Sequence, residues 1–100
     1  MTIKDIKNLK NDDGFTVKKG KKIRYKTGWQ VGFTGITRKT AKAVLNFIEK
    51  NPDCGIWYSN GIYYLDTCKR VDTKRKAIQL GKEYNQQSIY NWKNGKLAWL

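Results

Sequence analysis

Basic side chains supply most of the chemistry in this chain, and they gather in three clusters: Lys18, Lys22, Arg24 and Lys26; Arg38, Lys39 and Lys42; and Lys69, Arg70, Lys74, Arg75 and Lys76. Ammonium and guanidinium groups bind phosphate by charge, and guanidinium also does so by paired hydrogen bonds. Twenty-one Lys and Arg against eight Asp and Glu leave a net charge of +13. Solubility needs far less, and charge of this size strains the folded state by self-repulsion. An acidic partner is the simplest explanation, and a phosphate backbone is the commonest such partner. The plainer alternative is composition, because Lys, Asn, Ile and Tyr are all abundant, as an AT-rich genome would make them.

Catalysis finds little support. The chain has no histidine, which removes the usual general base and the usual zinc ligand. The eight carboxylates are scattered: Asp12-Asp13 reads as a turn, Asp53 and Asp66 flank a hairpin, and Asp72 reads as a helix cap. A metal-dependent nuclease needs two or three that converge, and only Asp53, Asp66 and Asp72 offer that. Cys54 and Cys68 are too few for a tetrahedral metal site. They read as free thiols, with a small bulge as the one route to a disulfide. Cys68 stands beside Lys69 and Arg70, which favours thiolate, but a small half-buried thiol at a strand end is the stronger reading. No catalytic residue, metal or cofactor is expected.

The elements that must position these cations follow from periodicity. One hundred residues fit one domain, read as an N-terminal arm or short helix over 1–13 and a single α+β domain over 14–100. Phe15, Val17, Ile23 and Tyr25 alternate with Thr16, Lys18, Lys22, Arg24 and Lys26, around a turn at Lys19-Gly20-Lys21. Successive strand side chains point to opposite faces, so the reading is a ribbon with one apolar and one cationic face. Trp29, Val31 and Phe33 then share one face of a third strand.

Thr37 or Thr40 caps a helix whose stripe is Ala41, Val44, Leu45 and Ile48, stopped at Asn51-Pro52. A second helix, capped by Asp72 or Thr73, carries Ala77, Leu80, Gly81 and Tyr84. Its Gly81 costs about 1 kcal/mol against alanine, which predicts tight packing there. Both helices load cations at the N-terminal end, which the macrodipole disfavours by ~0.3–1 kcal/mol each.

Between them lies GIWYSNGIYYLD, residues 55–66, turned at Asn60-Gly61. Its register sets Tyr58 opposite Tyr63 and Trp57 opposite Tyr64. Both faces are apolar, so the hairpin either sits centrally or exposes an aromatic face. A last hairpin over 88–100, turned at Asn94-Gly95, sets Trp92 opposite Leu97, Tyr90 opposite Trp99 and Lys93 opposite Lys96. The order is ββ(β)-α-ββ-α-ββ, an antiparallel sheet with two helices packed on one face.

Two stretches carry a resemblance. VDTKRKAIQLGKEYNQQSIYNWKNGK, following the GIWYSNGIYYLD hairpin, resembles the C-terminal halves of small orphan accessory proteins from phages and mobile elements of Gram-positive bacteria. The GFT-V and TGWQVGF segments match the opening of the same layout. The resemblance runs from about Gly14 to the C-terminus, and its motifs are structural. It implies no assigned activity, only a context: a phage accessory protein, in a class that includes antagonists of host defence. The high positive charge departs from acidic inhibitors that mimic DNA.

The expected function is therefore non-catalytic binding of nucleic acid, DNA or RNA, or of a host ribonucleoprotein or nuclease complex. The three cationic clusters would share one surface, with Trp57 and Tyr64 as stacking aromatics. The alternative is a host-directed inhibitor, of an anti-CRISPR or anti-restriction kind, acting through protein–protein contacts. No apolar run approaches the ~20 residues of a membrane span, and MTIKDIKNLKNDDG lacks the apolar core of a secretory signal. The expected place is the cytoplasm of a bacterial host cell, with no membrane partner.

Overall fold

The computed structural model describes residues 1–100. Its elements run α1 (Ile3–Lys7), β1 (Asp13–Lys18), β2 (Lys21–Ile23), β3 (Trp29–Arg38), α2 (Ala41–Lys50), β4 (Cys54–Ser59), β5 (Ile62–Val71), α3 (Lys74–Glu83), β6 (Ser88–Asn91) and β7 (Lys96–Trp99). The protein is α+β, with a seven-stranded antiparallel sheet in the order β2-β1-β4-β5-β3-β6-β7. No helix is long and apolar enough to cross a membrane. The chain packs as two compact units: Met1–Arg24 with Gly35–Thr67, and Tyr25–Thr34 with Cys68–Leu100.

In the first unit, the N-terminal segment forms a helix. Thr2 accepts from the Asp5 backbone N–H, and the Asp5 carboxylate accepts in return from the Thr2 backbone N–H at 2.8 Å, a reciprocal capping box. The helix delivers Ile6 into a core shared with Val17, Val44, Ile48, Cys54, Ile56 and Leu65. Thr40, rather than Thr37, caps α2 by accepting from the Ala43 N–H. Its buried residues are Ala41, Val44 and Ile48 at helical spacing.

The register of β1, β4 and β5 aligns Phe15, Ile56 and Leu65 on one face, with Val17 and Cys54 beside them. That face carries α1 and α2. The 55–66 hairpin pairs as the Asn-Gly turn dictates, Trp57 with Tyr64 and Tyr58 with Tyr63. Asn60 and Gly61 both adopt the positive φ that this turn requires.

The first hairpin departs from the sequence reading. Its turn has two residues, Lys19 and Gly20, so Thr16 pairs with Ile23, Val17 with Lys22 and Lys18 with Lys21. A one-residue change of register moves every side chain of a strand to the other face. Lys22 thus joins the Phe15 and Val17 face, and Ile23 joins Lys18. The expected ribbon with one apolar and one cationic side does not form. The cause is tertiary: Lys19 takes φ 53°, rare for a residue with a side chain. Its N–H donates to Asp53 Oδ1 at 2.9 Å, and the Gly20 N–H donates to the Pro52 carbonyl at 3.0 Å.

In the second unit, Val31, Val71, Ala77 and Ile89 form the core, with Trp29, Phe33, Ile78 and Leu80 packed against it. Thr73, rather than Asp72, caps α3 by accepting from the Lys76 N–H. A Cβ on Gly81 would lie 3.3 Å from Ile89 Cγ2 and 2.5 Å from Leu100 Cδ1, so the absent side chain makes room for that packing.

The last hairpin is also corrected: Asn91 pairs with Lys96, Tyr90 with Leu97 and Ser88 with Trp99. The Asn91 carbonyl accepts from the Gly95 N–H at 2.9 Å, and its side chain accepts from the Lys93 N–H at 3.0 Å. These bonds close a four-residue loop, so Trp92 leaves the strand and Lys93 does not face Lys96. A shift of two preserves the faces: Ile89 is buried, while Leu97 and Trp99 point outward.

Candidate nucleic-acid interface

The helix-free face of the first unit is read directly from the registers. Gly14, Trp57 and Tyr64 form one row across β1, β4 and β5; Ile23, Thr16, Gly55 and Asp66 form the next; Lys21 and Lys18 are paired beyond them. Trp57 is 47% exposed and Tyr64 45%. Directly opposed residues hold their Cβ atoms ~5 Å apart, so these are neighbouring rings with large solvent-facing areas.

Gly14 explains how the indole is held. A Cβ there would lie 3.1 Å from Trp57 Cε3 and 2.4 Å from the Ile56 carbonyl oxygen. The ring therefore lies against backbone that only glycine leaves open.

The Lys18–Lys21 pair sets two exposed cations opposite each other on this face. Four residues along β1, or ~13 Å at strand rise, separate the lysine row from the aromatic row. The residues between include Thr16 and Gly55, both small.

Asp66 is the anionic member of the face. Burial pushes its carboxyl up to about 6, against the opposing effect of hydrogen bonds from the backbone N–H groups of Gly55 and of Asp66 itself.

The other predicted cations are distributed differently. Lys22 lies on the helix-bearing face, its Nζ 5.1 Å from the Phe15 ring centroid. Arg38 at the end of β3, Lys39 after it and Lys42 in the first turn of α2, which covers that same face, are exposed, and the Arg38 guanidinium donates to the Thr37 carbonyl at 2.7 Å. Arg24 and Lys26 are exposed between β2 and β3. Within the first unit, then, the cations divide between two faces, because the two-residue turn inverts β2 and α2 packs on the face opposite Lys18 and Lys21. The expectation of one shared surface fails there.

In the second unit, two predicted ligands of phosphate have structural work. Arg70 Nε donates to the Thr27 carbonyl at 2.9 Å, its Nη1 meets Asp72 Oδ1 at 2.6 Å, and its guanidinium lies 5.3 Å from the Tyr25 ring centroid. The group fits against Gly28, at φ 94°, where a Cβ would come within 2.7 Å of it. Lys74 Nζ stands 5.6 Å from the Trp29 ring centroid. Tyr25 and Tyr90 both meet Trp92 edge-on, at 5.5 and 5.0 Å. The buried Trp92 Nε1–H has no conventional acceptor. Lys69, Arg75 and Lys76 are exposed.

Sequence reasoning missed Lys21, assigning it to the turn, and it missed this aromatic cluster. The signal for Lys21 was Lys19-Gly20, which suits a two-residue turn if lysine accepts a left-handed φ. Nothing local joins Tyr25 to Trp92.

Cys54 and Cys68 are both buried thiols that form no disulfide. Burial first, then the nearby carboxylates of Asp66 and Asp53, push the Cys54 thiol up to about 12, which leaves it unreactive at neutral pH. Asp53 is engaged with Lys19, Asp72 with Arg70, and no group of three or more Cys, Asp or Glu converges as a metal ion would require. No protein-family model, characterised protein or solved structure matches this chain.

Proposed function

We propose that this chain is a non-catalytic phage-type accessory protein that binds nucleic acid, or a host complex containing it, through the helix-free face of its first unit. One observation carries the reading: the same face holds two half-exposed rings, Trp57 opposite Tyr64, and two opposed lysines, Lys18 and Lys21. Rings supply stacking surface and lysines supply phosphate contacts, the combination that tracks a polynucleotide. The net charge of +13 supports the same reading by raising the encounter rate with any polyanion.

Mobility shift with short DNA and RNA at two salt concentrations tests it. Binding at low salt that weakens linearly on a log–log plot is expected, with a slope near −0.7 to −0.9 per phosphate contacted. No retardation by any of them overturns the reading.

The second reading, a host-directed inhibitor acting through protein contacts, rests on a different observation. On the outward face of β6 and β7, Trp99 is 73% exposed and Leu97 52%. Exposed aromatics of this kind anchor protein interfaces. Such an interface would respond weakly to salt, which separates the two readings in one titration.

A further inference from the structure

Resting on the nucleic-acid reading above, we infer that the ligand of the helix-free face is single-stranded, its bases lying on Trp57 and Tyr64 and its backbone on the Lys18–Lys21 side. The inference comes from what the face offers and what a duplex can present. Trp57 and Tyr64 are neighbours in register on the two middle strands of the β1-β4-β5-β3 run, each with about half its surface open. A ring on a sheet face presents its π surface to a base only if that base has left its own stack. In a duplex every interior base is covered above and below, so the rings would meet only sugar edges and phosphates. In a single strand, bases splay out and stack on aromatic side chains.

The supporting geometry is built into the sheet. Trp57 rests against Gly14, where a Cβ would lie 3.1 Å from the indole and 2.4 Å from the Ile56 carbonyl oxygen. Tyr64 is held on β5 between the paired strands of the sheet interior. A platform already in place spends little ordering entropy on binding.

Charge fixes the side on which the backbone lies. Beyond the aromatic row, β5 carries the largely buried carboxyl of Asp66 and no cation, whereas the edge hairpin of β1 and β2 presents the exposed Lys18 and Lys21. Phosphates are therefore attracted at the β1–β2 side. The strand thus runs along the β1–β2 side while its bases reach inward over Gly14 to the rings. The contacts involve base faces and phosphates and none that reads a 2′-hydroxyl, so single-stranded DNA and RNA bind alike.

The test is a fluorescence-anisotropy titration of the full chain with a labelled dodecamer, as single-stranded DNA, single-stranded RNA and blunt duplex, at fixed low salt. The expected result is tenfold or greater preference for either single strand over the duplex. Trp57→Ala and Tyr64→Ala each weaken single-strand binding by about 5- to 150-fold and leave duplex binding within about twofold. Lys21→Ala weakens both and flattens the single-strand salt dependence by roughly 0.7 in log–log slope.

Circular dichroism confirms folding of each variant, and Trp57→Phe, which keeps a ring, retains most of the affinity. Equal binding of duplex and single strand, or wild-type affinity in both alanine variants, overturns the single-strand inference while leaving nucleic-acid binding in place. Absence of binding to all three ligands overturns both.

Discussion

The two units each bring cations next to aromatic rings, and they use the pairing in opposite ways. Around Gly28, Arg70 is spent internally: it holds the Thr27 carbonyl, pairs with Asp72 and faces Tyr25, while Tyr25 and Tyr90 both lean on Trp92. Around Gly14, Trp57 lies against the glycine and pairs in register with Tyr64, and both rings leave about half their surface to solvent. A cation beside an aromatic ring is thus no mark of a binding site by itself. What decides is whether the remaining ring face and the remaining donors are already used. In the second unit they are, and the cluster holds the 25–28 loop. In the first unit about half of each ring is left to solvent.

The largest test of this contrast is Trp92→Ala. Removing the ring that Tyr25 and Tyr90 share should cost about 3–4 kcal/mol, read as a lower urea midpoint. A loss below 1 kcal/mol would show that the second cluster is not structural and would erase the distinction.

The next concerns the first unit's own face. Asp66 has its carboxyl raised from 3.8 to about 6 in the folded chain, so the native state holds that proton more tightly than the unfolded one. Its ionisation therefore costs stability, with no penalty below pH 4 and the full penalty above pH 6. Asp66→Asn should match the wild type at pH 4 and exceed it by on the order of 3 kcal/mol at pH 7. Unfolding curves that stay parallel across that range would mean the carboxyl is better solvated than its burial implies.

Gly28→Ala follows, at about 1–3 kcal/mol of destabilisation. Its φ of 94° is strained for alanine, and the new methyl would collide with the Arg70 guanidinium. Thermal denaturation measures this, and Gly20→Ala, with nothing within 4 Å of its Cβ, isolates the cost of φ alone.

The smallest expected effect is on the other side of the contrast. Trp57→Ala and Tyr64→Ala should change stability by no more than about 1 kcal/mol each, the worth of a cross-strand aromatic pair. A loss as large as that of Trp92→Ala would reassign these rings from ligand binding to the core.

Local chemistry carried much of the fold. Thr-capped helices with Ala41, Val44 and Ile48 or Ala77 and Gly81 inward follow from helical spacing, and the Trp57–Tyr64 pairing follows from Asn60-Gly61, because that turn admits one register. Periodicity failed where a turn had two solutions. Lys19-Gly20 closes a two-residue turn only because Asp53 and Pro52, more than thirty residues away, receive its N–H groups. The side on which Lys22 emerges was therefore written in another loop. The same holds for Asn94-Gly95, where Asn91 captures the turn and Trp92 donates its backbone N–H to the Gly28 carbonyl at 3.0 Å.

The amino-acid sequence by itself determined the amount of positive charge, the helices and strands, and the identity of the paired aromatics, since these depend on residue type and short-range geometry. Tertiary structure alone decided which cations share a face with those aromatics and which are consumed in holding a loop. Strand side chains change face with each residue of register, so hydrogen bonds from distant loops govern which charges meet.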